Sequence, residues 1–125
     1  MAYTTSIGAG IFEQEKLIDM RSRYQAAYEK YFGNNPQAVA EIESVSQKMI
    51  EHLGITMEEW RQTERHRIFA EAAKARGLEI GEFVIRLMAE SPEQAHAWRL
   101  ENHRRMADTL GIPWDEYKQL NRINE

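Results

Sequence analysis

Cysteine is absent from this chain, and so are long apolar runs. The first absence excludes disulfide frameworks, thiolate metal sites and cysteine nucleophiles, and it fits a reducing compartment. The second excludes a membrane-spanning helix, which needs roughly 20 apolar residues. Residues 1–10 (MAYTTSIGAG) hold no lysine, no arginine and no long apolar core, so they do not read as a signal peptide. The cytoplasm is the expected location, with no membrane partner. Proline occurs only at Pro36, Pro92 and Pro113, which argues against wholesale disorder. Also missing are a Gly-x-x-x-x-Gly-Lys-Ser/Thr loop, a Gly-x-Gly-x-x-Gly turn, a His-Glu-x-x-His pair and a Gly-x-Ser-x-Gly elbow. No catalytic residue, cofactor or metal is therefore expected.

What is present points to an ordinary globular chain. Its 125 residues fit one domain, with 42% hydrophobic and 29% charged residues. The expected organisation is a flexible arm over residues 1–10 and a single helical domain over 11–125. Twenty acidic against 16 basic side chains give a net charge of −4. That balance opposes generic attraction to phosphates, so nucleic acid is not an expected partner. Arg61, Arg65, Arg67, Lys74 and Arg76 cluster in one stretch, but Glu64 and Glu71 are mixed among them, as on a solvated helix face.

Apolar residues recur at three- and four-residue steps, and glycines divide the segments. The spacing predicts helices over about 12–32, 36–53, 56–76, 80–90, 92–110 and 113–122. In the first, Leu17, Met20, Tyr24, Tyr28 and Tyr31 form the inward stripe. In the second, the stripe is Val39, Ile42, Val45 or Ser46, Met49 and Leu53. Thr56-Met57-Glu58-Glu59 reads as a capping box, and Ser91-Pro92-Glu93-Gln94 as a second strong start. No segment alternates as a half-buried strand does. The expected fold is all-α: a compact bundle of about six helices in antiparallel αα-hairpins.

Three segments share one pattern. Gly54–Trp60, Gly77–Phe83 and Gly111–Tyr117 each read Gly, aliphatic, variable, apolar, variable, Glu, aromatic. The simplest cause is helix grammar: glycine ends one helix, the acid sits at the positive end of the next, and the aromatic turns inward. A helical repeat over 57–91 and 92–125 is the sharper alternative.

Trp60-Arg61 also matches Trp98-Arg99. At about 100° per residue, Arg61, Glu64 and Arg65 fall within the stripe of Met57, Trp60, Ile68 and Ala72. Arg99, Asn102 and His103 fall within the stripe of Ala95, Trp98, Met106 and Leu110. Both helices thus carry a polar band across an apolar face. The band has three readings: an ion-pair network such as Glu64 with Arg99, a pocket for an anion, or open surface. Trp60, Arg61, Glu64, Arg65, Trp98, Arg99, Asn102 and His103 are the candidate ligand-binding residues.

Other constellations carry less. Glu93-x-x-His96 has di-iron spacing but no second copy, and His96 and His103 bring no further ligands. Ala75–Phe83 looks like the turn of a helix-turn-helix. Its second helix, however, offers Glu79, Glu82 and Glu90 against Arg86 alone, which repels phosphate. Tyr24, Tyr28, Tyr31 and Phe32 read first as core, and alternatively as a homodimer surface.

From Glu90-Ser91-Pro92-Glu93 through Trp114-Asp115-Glu116-Tyr117 the chain resembles small bacterial α-helical proteins of unknown function, over roughly its last 70 residues. The resemblance implies a bacterial or phage source and no activity. The expectation is a small acidic, non-enzymatic interaction or regulatory protein of adaptor, inhibitor or immunity type, with a protein partner. The alternatives are an anion-binding or enzyme pocket on the polar band, and a DNA-binding regulator.

Overall fold

The computed structural model describes residues 20–124. It is all-α, and no strand occurs among those residues. The first helix, α1, covers 20–33 of the described chain; its expected start near residue 12, with Leu17, lies outside them. Then follow α2 (Pro36–Glu43), α3 (Gln47–Leu53), α4 (Met57–Ala75), α5 (Ile80–Met88), α6 (Pro92–Leu110) and α7 (Trp114–Asn121).

That makes seven described helices where six are expected, because the segment 36–53 is broken. Ser44 closes α2, its hydroxyl donating to the Glu41 carbonyl at 2.7 Å. Ser46 opens α3 as its N-cap, its Oγ accepting from the Met49 N–H at 3.1 Å. Serine competes with the helix for its own backbone in this way. The break resets the rotational phase. Ile42 and Ile50 are buried, while the expected Met49 and Leu53 are each 48% exposed.

The remaining boundaries follow the capping signals. Thr56 forms the expected capping box, with its side chain on the Glu59 N–H and the Glu59 carboxylate on the Thr56 N–H. Ser91 accepts from the Gln94 N–H at 3.1 Å. Gly54, Gly77 and Gly111 have φ of 68°, 70° and 69°, the left-handed region that side chains avoid. In each case the next N–H reaches back to a carbonyl of the finished helix: Ile55 to Ile50, Leu78 to Ala73 and Ile112 to Ala107. Those three acceptor residues are all buried. The shared pattern is thus one helix-ending turn used three times, with a hydrophobic lock beneath it.

The described chain divides into two compact units, parting after residue 80. In the first, α2 packs on α4. Its buried apolar residues are Met20, Ala27, Phe32, Ile42, Ile50 and Phe69, joined by Ala72 and Ala73. Phe69, fully buried, is stacked on Tyr28 with ring centroids 4.3 Å apart and met edge-on by Tyr31 at 5.7 Å. Of the aromatic residues of α1, Phe32 is thus core, and the half-buried Tyr28 and Tyr31 pack on Phe69. In the second unit α6 packs on α7, and the buried residues are Phe83, Val84, Ile85, Ala95, Ala107 and Tyr117. No described helix is long and apolar enough to cross a membrane.

Candidate functional site

The polar band divides between the two units. In the first, α4 carries its half. Trp60 is half-buried, and its indole N–H donates to the Ile42 carbonyl at 3.0 Å, satisfying the last turn of α2. Beside it, Arg61 places Nε between both oxygens of Glu43, at 2.9 and 3.1 Å, with Glu58 at 3.7 Å. Glu64 is 15% exposed and bonds Arg67 at 2.6 Å, while Arg67 also reaches Glu71 at 3.0 Å. Donating hydrogen bonds to Glu64, and then to Glu71, holds the Arg67 guanidinium above its usual value. Arg65 is exposed, with no hydrogen bond or ion pair among the described residues.

The second unit holds the other half on α6. Arg99 places Nε on both oxygens of Glu82, at 2.7 and 3.1 Å. Glu82 also lies 3.7 Å from Arg86. The Asn102 carbonyl accepts from Arg105 at 3.2 Å. His103 shares a 3.2 Å hydrogen bond with the Tyr117 hydroxyl. Trp98 is half-buried. The Trp-Arg echo therefore has a structural counterpart. Both arginines clamp a carboxylate from an earlier helix end-on through Nε, Glu43 from α2 and Glu82 from α5.

Glu64 and Arg99, the pair offered as an example of a network, each have a partner within their own unit. The carboxylate of Glu64 goes to Arg67 and the guanidinium of Arg99 to Glu82. Among the described residues no polar or charged side chain is buried, and no buried polar side-chain atom lacks a partner. The charges stay at the half-exposed edge, where ionisation costs little. No group of three or more His, Asp or Glu residues is placed to hold a metal ion among the described residues.

Two features stand out beyond the band. The first is a groove of about 670 Å³ in the first unit, between α1, α2 and α4. On the α1 side stand Gln25, Tyr28, Glu29 and Phe32, and on the α4 side Glu58, Gln62 and Arg65. Tyr28 shares a 2.9 Å hydrogen bond with His66 Nδ1. Burial, and secondarily the neighbouring Tyr24, raises the Tyr28 hydroxyl above its ordinary value. Of the candidate band residues, Arg65 alone lines this groove.

The second is a longer duplication than the three short segments suggest. Residues 49–60, MIEHLGITMEEW, recur as 106–117, MADTLGIPWDEY. Met, Leu, Gly, Ile and Glu stand at matching places. In each copy the Met and Leu face water: Met49 and Leu53 are both 48% exposed, Met106 48% and Leu110 58%. In each copy the residue after Met is buried, Ile50 at 4% and Ala107 at 2% exposure. The expected burial of Met106 and Leu110 on the stripe of α6 is thus replaced by burial of Ala107, one residue on.

A family of unknown function, DUF6388, matches residues 17–123. The chain belongs to this family. The likeness expected over the last part of the chain therefore covers most of it, both copies of the duplicated segment included. No curated protein and no solved structure matches. Membership in DUF6388 brings no activity with it, so the chemistry of this member rests on its own residues. The Glu43 and Glu82 partners of the two arginines escaped the sequence reading because a helical wheel sees only one helix. The Trp-Arg repetition was the available signal.

Proposed function

We propose that this DUF6388 chain is a small, non-enzymatic interaction or regulatory protein of adaptor, inhibitor or immunity type, acting in the cytoplasm on a protein partner. The observation that carries the reading is the paired exposure of Met49 with Leu53 and of Met106 with Leu110. Single exposed apolar residues need no explanation. Here two side chains one helical turn apart are uncovered, and the same pair is uncovered at the matching place in the second copy. Leucine and methionine at such spacing form the kind of ridge that seats in a partner's apolar groove.

The test compares wild type with the double variants Met49→Ser/Leu53→Ser and Met106→Ser/Leu110→Ser as baits in extracts of the native host, quantified by mass spectrometry. A partner held by wild type and lost by at least one variant, with unchanged helical circular dichroism, is the expected result. Identical captured sets for all three would refute the reading. A nucleic-acid reading is disfavoured by α5, where Glu82 lies 3.7 Å from Arg86 and offsets its charge.

A further inference from the structure

Three helices end on the same turn, so one ending serves as a control for the other two. Each has a left-handed glycine, and the N–H after it returns to a buried residue: Ile50, Ala73 or Ala107. At the Gly77 ending the nearby positions are Glu71, Ala72, Lys74 and Arg76. Ala72 is buried, Arg76 donates to the Ala72 carbonyl at 2.8 Å, and Glu71 pairs with Arg67. The same four places before Gly54 hold Lys48, Met49, Glu51 and Leu53, and before Gly111 they hold Arg105, Met106, Asp108 and Leu110. Cation, methionine, acid and leucine thus recur twice, every one of them exposed. Where the turn is built a third time those places carry acid, alanine, cation and arginine. The turn therefore does not require the match, and neither does the core.

The charges have a direction. At about 100° per residue, the buried Ile50 or Ala107 lies to one side of the methionine and the cation to the other. Glu51 and Asp108 point about 160° away from both methionine and leucine, to the back of the ridge. Whatever covers the ridge meets the cation before the acid. His52 or Thr109 stands between methionine and cation and adds no negative charge. Lys48 has no ion pair among the described residues, and the exposed Arg105 donates one 3.2 Å hydrogen bond to Asn102. We propose that the two ridges are equivalent sites for one partner surface: an apolar groove that takes methionine and leucine, with a carboxylate on its rim for Lys48 or Arg105. Each chain then holds two copies of that surface, one per unit. The groove follows from two apolar side chains one helical turn apart, and the sign of its rim from the repeated cation. This rests on the reading of the Met and Leu pairs as interaction ridges and adds the partner's charge and copy number.

The probe is the protein that wild type holds in the capture experiment above, identified, purified and titrated calorimetrically into the full chain. Wild type is expected to show two sites of equal affinity. Met49→Ser/Leu53→Ser and Met106→Ser/Leu110→Ser should each leave one site, its affinity unchanged, and the fourfold variant none. Lys48→Glu should weaken the site left in Met106→Ser/Leu110→Ser about tenfold, and Arg105→Glu the site left in Met49→Ser/Leu53→Ser, most strongly at low salt. Both cations are exposed, so their reversal keeps the fold, which helical circular dichroism checks. A single site in wild type, loss of all binding in either double variant, or different proteins held by the two ridges overturns the equivalence while the ridge reading stands. Unchanged affinity on charge reversal overturns the acidic rim. A wild type that captures nothing, or the same set as every variant, removes the ridge reading and this inference with it.

Discussion

Residues 49–60 and 106–117 run nearly the same text through two different settings. In both, a helix ends on a left-handed glycine, an isoleucine N–H ties back to a buried residue, and a new helix begins. They part at the start of that new helix. The first copy has Thr56, which caps α4 and exchanges bonds with Glu59; the helix then runs 19 residues. The second has Pro113 in the same place, which makes no side-chain cap, and α7 runs 8 residues. Glu116 stands where Glu59 stands, but no hydroxyl answers it. The turn is therefore specified by glycine and the lock beneath it, whereas the firmness of the following helix is specified separately. A threonine satisfies an orphan N–H; proline only presets one dihedral angle.

Four substitutions sharpen that contrast. The largest effect is expected from Gly54→Ala and Gly111→Ala, each losing about 1–2 kcal/mol because a Cβ resists positive φ. Beyond the adjoining residues nothing lies within 4 Å of the added carbon at either site, so backbone strain, not a clash, sets the loss. Chemical denaturation should give the two losses within about 0.5 kcal/mol of each other. A clear inequality would show that the copies are not one turn. Next comes Thr56→Ala, with a loss of about 1 kcal/mol and faster amide exchange in the first turn of α4. No change there would mean that the capping box is idle. The smallest is Glu64→Ala. Its partner Arg67 is 51% exposed, so the loss should stay within about 0.5–1 kcal/mol. A loss of about 3 kcal/mol or more in the melt would instead mark an ion pair cut off from water.

The helix ends were legible because they are written in local chemistry. Thr56, Ser91 and the three glycines act on backbone groups within a few residues, and each boundary they mark stands. The break at Ser44–Ser46 was not legible, since no glycine or proline marks it and Ser46 reads equally as a member of the inward stripe. Phe69, fully buried, stands one step around the wheel from Ile68, the residue that the stripe predicts. The exposure of Met49, Leu53, Met106 and Leu110 was hidden for another reason. Periodicity finds an apolar face, but what covers that face depends on other helices. The band itself was found as a set of residues, and its partners were not. Glu43 and Glu82 are brought to Arg61 and Arg99 by folding, from 18 and 17 positions away.

The lack of any buried charged or polar side chain among the described residues has an evolutionary consequence. Every guanidinium and carboxylate there keeps some access to water, so deleting one member of a pair strands no dry, uncompensated ion. Mutation can exchange, reverse or erase these charges one at a time without first rebuilding the interior. A lineage with such a coat can acquire new recognition while its scaffold stays fixed.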